Sequence, residues 1–371
     1  MNVLWIGYYD PEYPRNAAIL KGLRANGFIV HEVRVELSRP RRLINLVKAW
    51  REYRKSSPPP DIIIVPMIDL ETAPFALALT QWYKVPLVYD AFECRYTANV
   101  IERNISLGSF KARALFYLER WVLNHARLIL VDTREHAKLF QKVYQIAPEK
   151  FHVIYISLDD DLFRPSPEPP EDGFLVQFLG YFHPLTGSDT IIQAAALLKN
   201  HPEIRFEVIG LKDNPSSRKI RDLVAALGLE NVTLRDSIPY ADQPREIKRA
   251  SVCLGVFGDT DQAARVIPNK GYQALAMAKP LLTRDCPALR EVLEPGIHVE
   301  TVDPAHPQSL ADAVLRLKHD PDYRERIARQ GYQKFKSELT PAILGKALVA
   351  RLHQIKAKPR SFSEVKVRAK P

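Results

Sequence analysis

Residues 252–283 read VCLGVFGDTDQAARVIPNKGYQALAMAKPLLT, and this stretch decides the fold. Residues 252–256 are a short apolar run with β-branched members, which suits a strand buried in a parallel sheet. Gly258-Asp259-Thr260-Asp261 breaks the run into a loop. Pro268 stands where a helix opens, because its missing N–H costs nothing there. Tyr272, Leu275 and Ala276 give that helix an apolar face, and Pro280 stops it. Ala274, Ala276 and Ala278 are small, so its backbone can lie close to a sheet. Lys270 falls in the first turn, where a cation opposes the helix dipole. It gains nothing locally, but makes sense beneath an anion, because helix N-termini bind phosphates.

Residues 266–283, VIPNKGYQALAMAKPLLT, resemble the nucleotide-sugar segment of retaining GT-B glycosyltransferases of the family 4 type, the group 1 enzymes. Those often read I-P-x-K-x-x-E-A-L-A-M-G-K-P-V. Residues 156–165, ISLDDDLFRP, are similar to the N-G-V-D-x-x-x-F-x-P segment that closes the first domain in that family. The resemblance implies an α/β chain of the GT-B fold, with two Rossmann-like domains facing each other across a cleft. It implies a nucleotide-diphosphate sugar as donor, no cofactor besides it, and a sugar, lipid or small-molecule acceptor.

The rest of the chain agrees with that architecture. At 371 residues, two domains of about 150–200 residues are expected. Asn2–Gly7, a helix by Ile19, Leu20 and Leu23, and a second strand at 28–35 make a βαβ opening, which predicts a parallel sheet. That opening lacks G-x-G-x-x-G, so a standard dinucleotide site is not indicated. Further strands are read at 61–66, 86–90, 128–131 and 152–156, with helices at 72–82 and 112–125. Asp132-Thr133-Arg134-Glu135 reads as a capping-box pattern opening a helix through Phe140. The first domain is placed at 1–163, and the Pro-rich segment 164–172 is the linker. The second domain, 173–354, repeats the strand–helix logic, with Ser188 expected to cap its first helix. The helix near 340–354 is expected to pack back on the first domain, and 355–371 to form a basic tail.

Composition bounds partners and compartment. There are 53 Lys and Arg against 43 Asp and Glu, a net charge of +10, which favours anionic partners. Cys94, Cys253 and Cys286 have no metal-binding spacing, and a reduced, cytoplasmic protein is expected. The chain opens directly as a strand, so no signal peptide is evident, and no apolar run reaches about 18 residues. Residues 34–55 carry Arg34, Arg39, Arg41, Arg42, Lys48, Arg51, Arg54 and Lys55 beside Leu43, Ile44, Leu46, Val47 and Trp50. That pattern fits a basic amphipathic helix on an anionic membrane, peripheral at its inner face, or a solvated surface helix. No basic platform interleaved with aromatics is present, so nucleic acid is not expected as a partner.

Sugar transfer needs the departing diphosphate stabilised by cations and helix N-termini. Lys270 is the leading candidate, with Arg265 one loop upstream as a bidentate phosphate contact. Asp90 ends a strand and Glu93 follows it, both plausible cleft groups, since ligands of open α/β sheets bind at carboxyl ends of strands. The loop Gly180–Gly187, with His183 and Thr186, opens the second domain's first helix and can face the same anion. Asn269 and Gln273 flank Lys270, with Gln273 one turn along the helix on a similar side. Three positions depart from the family. Thr186 replaces its Lys, and Arg265 and Gln273 replace the two Glu of E-x₇-E. A Gln still accepts from a ribose hydroxyl, but an Arg does not accept as Glu would. Asp159-Asp160-Asp161 invites a metal reading, but its place between a strand and the linker fits an inter-domain turn, and no metal is assigned. A retaining, metal-independent glycosyltransferase and a GT-B-like binding or scaffold protein without turnover both remain open.

Overall fold

Among the described residues twelve strands, most of them apolar runs, build two sheets. In the first half, β1 (Asn2–Gly7), β2 (Ile29–Arg34), β3 (Ile62–Val65), β4 (Leu87–Asp90), β5 (Leu128–Val131) and β6 (Phe151–Val153) pair in the order β2-β1-β3-β4-β5-β6. In the second, β7 (Phe174–Leu179), β8 (Ile204–Leu211), β9 (Val232–Asp236), β10 (Val252–Leu254), β11 (Leu281–Arg284) and β12 (Glu300–Val302) pair as β12-β11-β10-β7-β8-β9. Every pairing is parallel. Central strands such as IIIV of β3 and LILV of β5 are buried on both faces, as all-parallel sheets require. These are two Rossmann-like domains, in a computed structural model that describes residues 1–35, 41–67, 69–101, 105–106, 109–166 and 173–357. Arg39, most of the linker (167–172) and the tail from 358 lie outside the described residues.

Helices cover both faces of each sheet. In the first domain they are α1 (Pro14–Ala25), α2 (Arg42–Ser56), α3 (Ala73–Tyr83), α4 (Phe110–His125) and α5 (Arg134–Tyr144). In the second they are α6 (Ser188–Leu197), α7 (Pro215–Ala226), α8 (Gln243–Ile247), α9 (Asp261–Arg265), α10 (Asn269–Ala276), α11 (Pro287–Arg290), α12 (Pro307–His319) and α13 (Pro321–Lys334). Two caps differ from expectation. Ser188 is the first residue of α6, not its cap, and Gly187 precedes it with φ of 63°. Thr133 caps α5 by accepting from the His136 N–H, so the position three residues on is a histidine and no capping box closes.

The last helix, α14 (Pro341–Ala357), leaves the second domain and lies on α1. Leu348 and Leu352 are fully buried there among Val3, Trp5, Ile19 and Leu23. Two glycines permit the crossing. A Cβ on Gly345 would stand 2.4 Å from the carbonyl oxygen of Gly22, and one on Gly22 would stand 2.4 Å from that of Pro341. Backbone cannot yield as a flexible side chain does, so Gly345→Val is expected to lower unfolding stability by about 1–3 kcal/mol. Urea titration checks this, with an unchanged midpoint counting against the close helix contact.

Candidate functional site: the cleft between the domains

The strand order of the second sheet reverses between β7 and β10. The crevice at such a switch point is where open α/β sheets take their ligands. Gly180 leaves β7 there, the loop 255–260 leaves β10, and α10 points its N-terminus at the same place. The loops lock together at their glycines. Gly187 has φ of 63°, and a Cβ on it would lie 2.5 Å from the Gly258 nitrogen. The Phe257 N–H donates to the Thr186 carbonyl at 2.9 Å, and that of Gly258 to Leu185 at 3.1 Å.

Lys270 is part-buried, and its Nζ is turned inward, 3.8 Å from the centre of the Phe178 ring. Gly180 gives it room, for a Cβ there would come within 2.7 Å of Nζ. No carboxylate among the described residues pairs with it, and desolvation alone pulls its pKa down to about 7. Such a cation is stabilised by an arriving anion. Arg265 ends α9 with its Nε buried and without a partner among the described residues, and Asp261 only at 3.7 Å. Arg265 and the exposed His183 line a cleft of about 750 Å³ with Glu135, Lys138 and Lys142 of α5. Asn269 meets the phenol of Tyr13, from the β1–α1 loop of the first domain, while its own Oδ1 is buried without a partner among the described residues. Burial pushes the Tyr13 phenol up, and the bond from Asn269 opposes the shift. Glu93 reaches Gln262 of α9 at 3.5 Å. Arg265 and His183 thus line the inter-domain cleft, and Asn269 and Glu93 each make a contact between the two domains, whereas Lys270 faces Gly180 and Phe178 and lines a small cavity of the second domain.

Three other candidates are placed elsewhere. Asp90 is wholly buried, and Arg15 binds both its oxygens at 2.7–3.1 Å while donating to the Ile154 carbonyl. Burial pushes the Asp90 carboxyl up and the guanidinium pulls it back. It is a structural anion holding α1 to β4, not a cleft base. Thr186 is buried and donates to the Tyr181 carbonyl at 3.1 Å, so its hydroxyl serves the loop. Gln273 is only 4% exposed, and its amide donates to Gln243 of α8 at 2.7 Å. It lines a small cavity beside Lys270 and Gln177 rather than the open cleft. The acidic triad Asp159-Asp160-Asp161 is occupied by a lysine, with Lys21 Nζ 2.8, 2.6 and 2.7 Å from the three carboxylates. Sequence reading missed Tyr13, Phe178 and Gln243, which carry no motif and matter only through contacts across the fold.

The family description "Glycosyl transferase 4-like domain" matches residues 7–156, and "Glycosyl transferases group 1" matches residues 159–334. The chain belongs to the group 1 glycosyltransferases. It is similar to D-inositol 3-phosphate glycosyltransferase of Thermobispora bispora, 26% identical over 66% of this chain and 60% of the relative. The Nocardioides sp. protein of the same description is 24% identical over 68% and 58%. The chain thus spans about 60% of the length of these curated relatives. In fold it is similar to sucrose-phosphate synthase of Thermosynechococcus elongatus (TM-score 0.73, 15% identity, covering 95% and 98% of the two chains). It is equally similar to Anabaena HepE in complex with UDP (TM-score 0.73, 15% identity, covering 95% and 100%).

The Arg15–Asp90 pair yields a test of placement. Asp90→Ala leaves a buried guanidinium unpaired and is expected to cost roughly 3–5 kcal/mol of stability, whereas the Arg15→Met, Asp90→Leu double variant recovers most of it. Urea unfolding of both decides. An Asp90→Ala protein of unchanged stability that loses only turnover would restore Asp90 to the cleft.

Proposed function

We propose that this group 1 glycosyltransferase is an active, retaining and metal-independent enzyme with a uridine diphosphate sugar as donor. The uncompensated Lys270 ammonium at the α10 N-terminus carries this reading. The bond from the anomeric carbon to the β-phosphate oxygen breaks, and an acceptor hydroxyl oxygen bonds to that carbon from the same face. The acceptor's proton passes to the departing diphosphate. Lys270 and Arg265 stabilise the charge that develops on it, the work a divalent cation would otherwise do. Asn269 and Gly180 shape the diphosphate site, while His183 and Glu93 border the sugar. The uridine choice is supported by the HepE complexes with UDP and UDP-glucose. The acceptor is a hydroxylated sugar or cyclitol, or a lipid bearing one, supported by the inositol phosphate relatives. A nucleotide-binding protein without turnover is the competing reading, favoured by the burial of Gln273, whose amide nitrogen donates to Gln243.

An anionic membrane surface is the second partner we propose. On α2, Leu43 and Ile44 are exposed next to Arg41, Lys48 and Arg51, and on α4 Phe110, Tyr117 and Trp121 are exposed next to Lys111 and Arg113. Both helices pack on the same face of the first sheet. No helix among the described residues is long and apolar enough to cross a membrane.

Lys270→Met is expected to lower kcat/KM by roughly 2–4 kcal/mol in transition-state terms, with EDTA leaving the wild-type rate unchanged. Kinetics over a panel of donor sugars checks it. UDP binding with no sugar release from any donor would favour the binding protein, and metal dependence abolished by Asp160→Asn would return a metal to the triad. Vesicles containing phosphatidylglycerol should sediment the protein and phosphatidylcholine vesicles should not. Lys48→Glu with Arg51→Glu should weaken this by about 1 kcal/mol or more per residue. Equal sedimentation with both lipids would leave α2 and α4 as solvated helices.

A further inference from the structure

The first turn of α5 is capped from the opposite domain. The N–H groups of Arg134 and Glu135 donate to the two carboxylate oxygens of Glu291 at 2.7 and 3.0 Å. The third, from His136, goes to the Thr133 hydroxyl at 3.1 Å. That hydroxyl donates its own proton to the Arg265 carbonyl, 2.7 Å away. A helix is ordinarily capped by residues beside it in sequence. Here the carboxylate comes from 157 residues further along. A negative charge at a helix N-terminus with two charge-assisted bonds is a favourable, oriented contact.

Both ends of this contact lead to the cleft. Glu291 directly follows α11, which packs against both α5 and α9. Arg265 is the last residue of α9, and its buried Nε lacks a partner among the described residues. Tyr155, beyond β6, adds a 3.4 Å bond from its hydroxyl to Glu291. When the domains part, the two α5 N–H groups and the Glu291 carboxylate turn to water and the Arg265 carbonyl loses its donor.

We infer that Glu291 and Thr133 are positioning residues that clamp the two domains together across the cleft and hold the end of α9, so that the Arg265 guanidinium stays turned toward the donor diphosphate. The clamp stands on geometry alone, and what Arg265 does rests on the donor reading above. Neither residue touches the diphosphate in this scheme. Each acts by raising the fraction of molecules in the binding-competent, closed arrangement.

The test uses the full chain, with UDP as probe and small-angle scattering beside calorimetry. Glu291→Ala should keep the far-UV circular dichroism of the wild type, increase the radius of gyration of the nucleotide-free protein, and raise the apparent Kd for UDP. An open shift that cuts the closed fraction tenfold raises Kd about tenfold. Thr133→Val should act in the same direction and Thr133→Ser should restore both readouts, which keeps the test available should Glu291→Ala misfold. An unchanged radius and unchanged Kd overturn the clamp. A larger radius with unchanged Kd overturns the positioning of Arg265. A wild type that binds no UDP overturns the donor reading, and the radii then decide the clamp by themselves.

Discussion

A desolvated lysine amine with no carboxylate partner among the described residues organises the ligand side of the second domain. Lys270 stands in the first turn of α10, where the helix dipole repels it, and over the ring of Phe178, which attracts it weakly. Room for it requires glycine at 180, and the loop beyond must fold back on the loop 257–258, which requires glycine at 187. Burying a cation unpaired costs free energy that the fold does not recover internally. An anion bound beside it would offset that cost, which is the ground for the donor site proposed above. Arg265, whose buried Nε lacks a partner among the described residues, is the second cation proposed for that site.

Buried charge is treated differently in the first domain. Arg15 binds both oxygens of Asp90 and the Ile154 carbonyl, and Asp69, pushed up to about 6 by burial, accepts from the Tyr8 and Thr72 N–H groups. These groups fix the β1–α1 loop and therefore Tyr13, which reaches Asn269 across the cleft. With α14 lying on α1, the two domains are tied at the back by the chain and at the front by Tyr13, Glu93, Thr133 and Glu291.

Much of the architecture was legible in sequence because parallel strands bury both faces and appear as uninterrupted runs such as IIIV and LILV. The Lys270 stretch was legible because Pro268 and Pro280 bound a short helix and a cation in a first turn is locally unfavourable. Side-chain destinations were not legible where the partner is distant. Asp90 looks like a strand-end cleft acid until Arg15, 75 residues away, is folded onto it. Gln273, read as a ribose contact, is buried with its amide nitrogen donating to Gln243, a partner 30 residues away. The segment 132–135 looks like a capping box, yet two first-turn N–H groups go to Glu291, which no local pattern announces. The acidic triad is answered by Lys21 from the other end of the domain.

The most direct test of Lys270 as the unpaired cation that receives the donor is proton uptake on UDP binding. At pH 8 an amine with a pKa of about 7 is mostly neutral in the free protein, and a diphosphate beside it raises that pKa. Titration calorimetry of UDP in two buffers of different ionisation enthalpy should report uptake approaching about one proton in the wild type and none in Lys270→Met. Buffer-independent heats in the wild type, with UDP bound, would contradict the account.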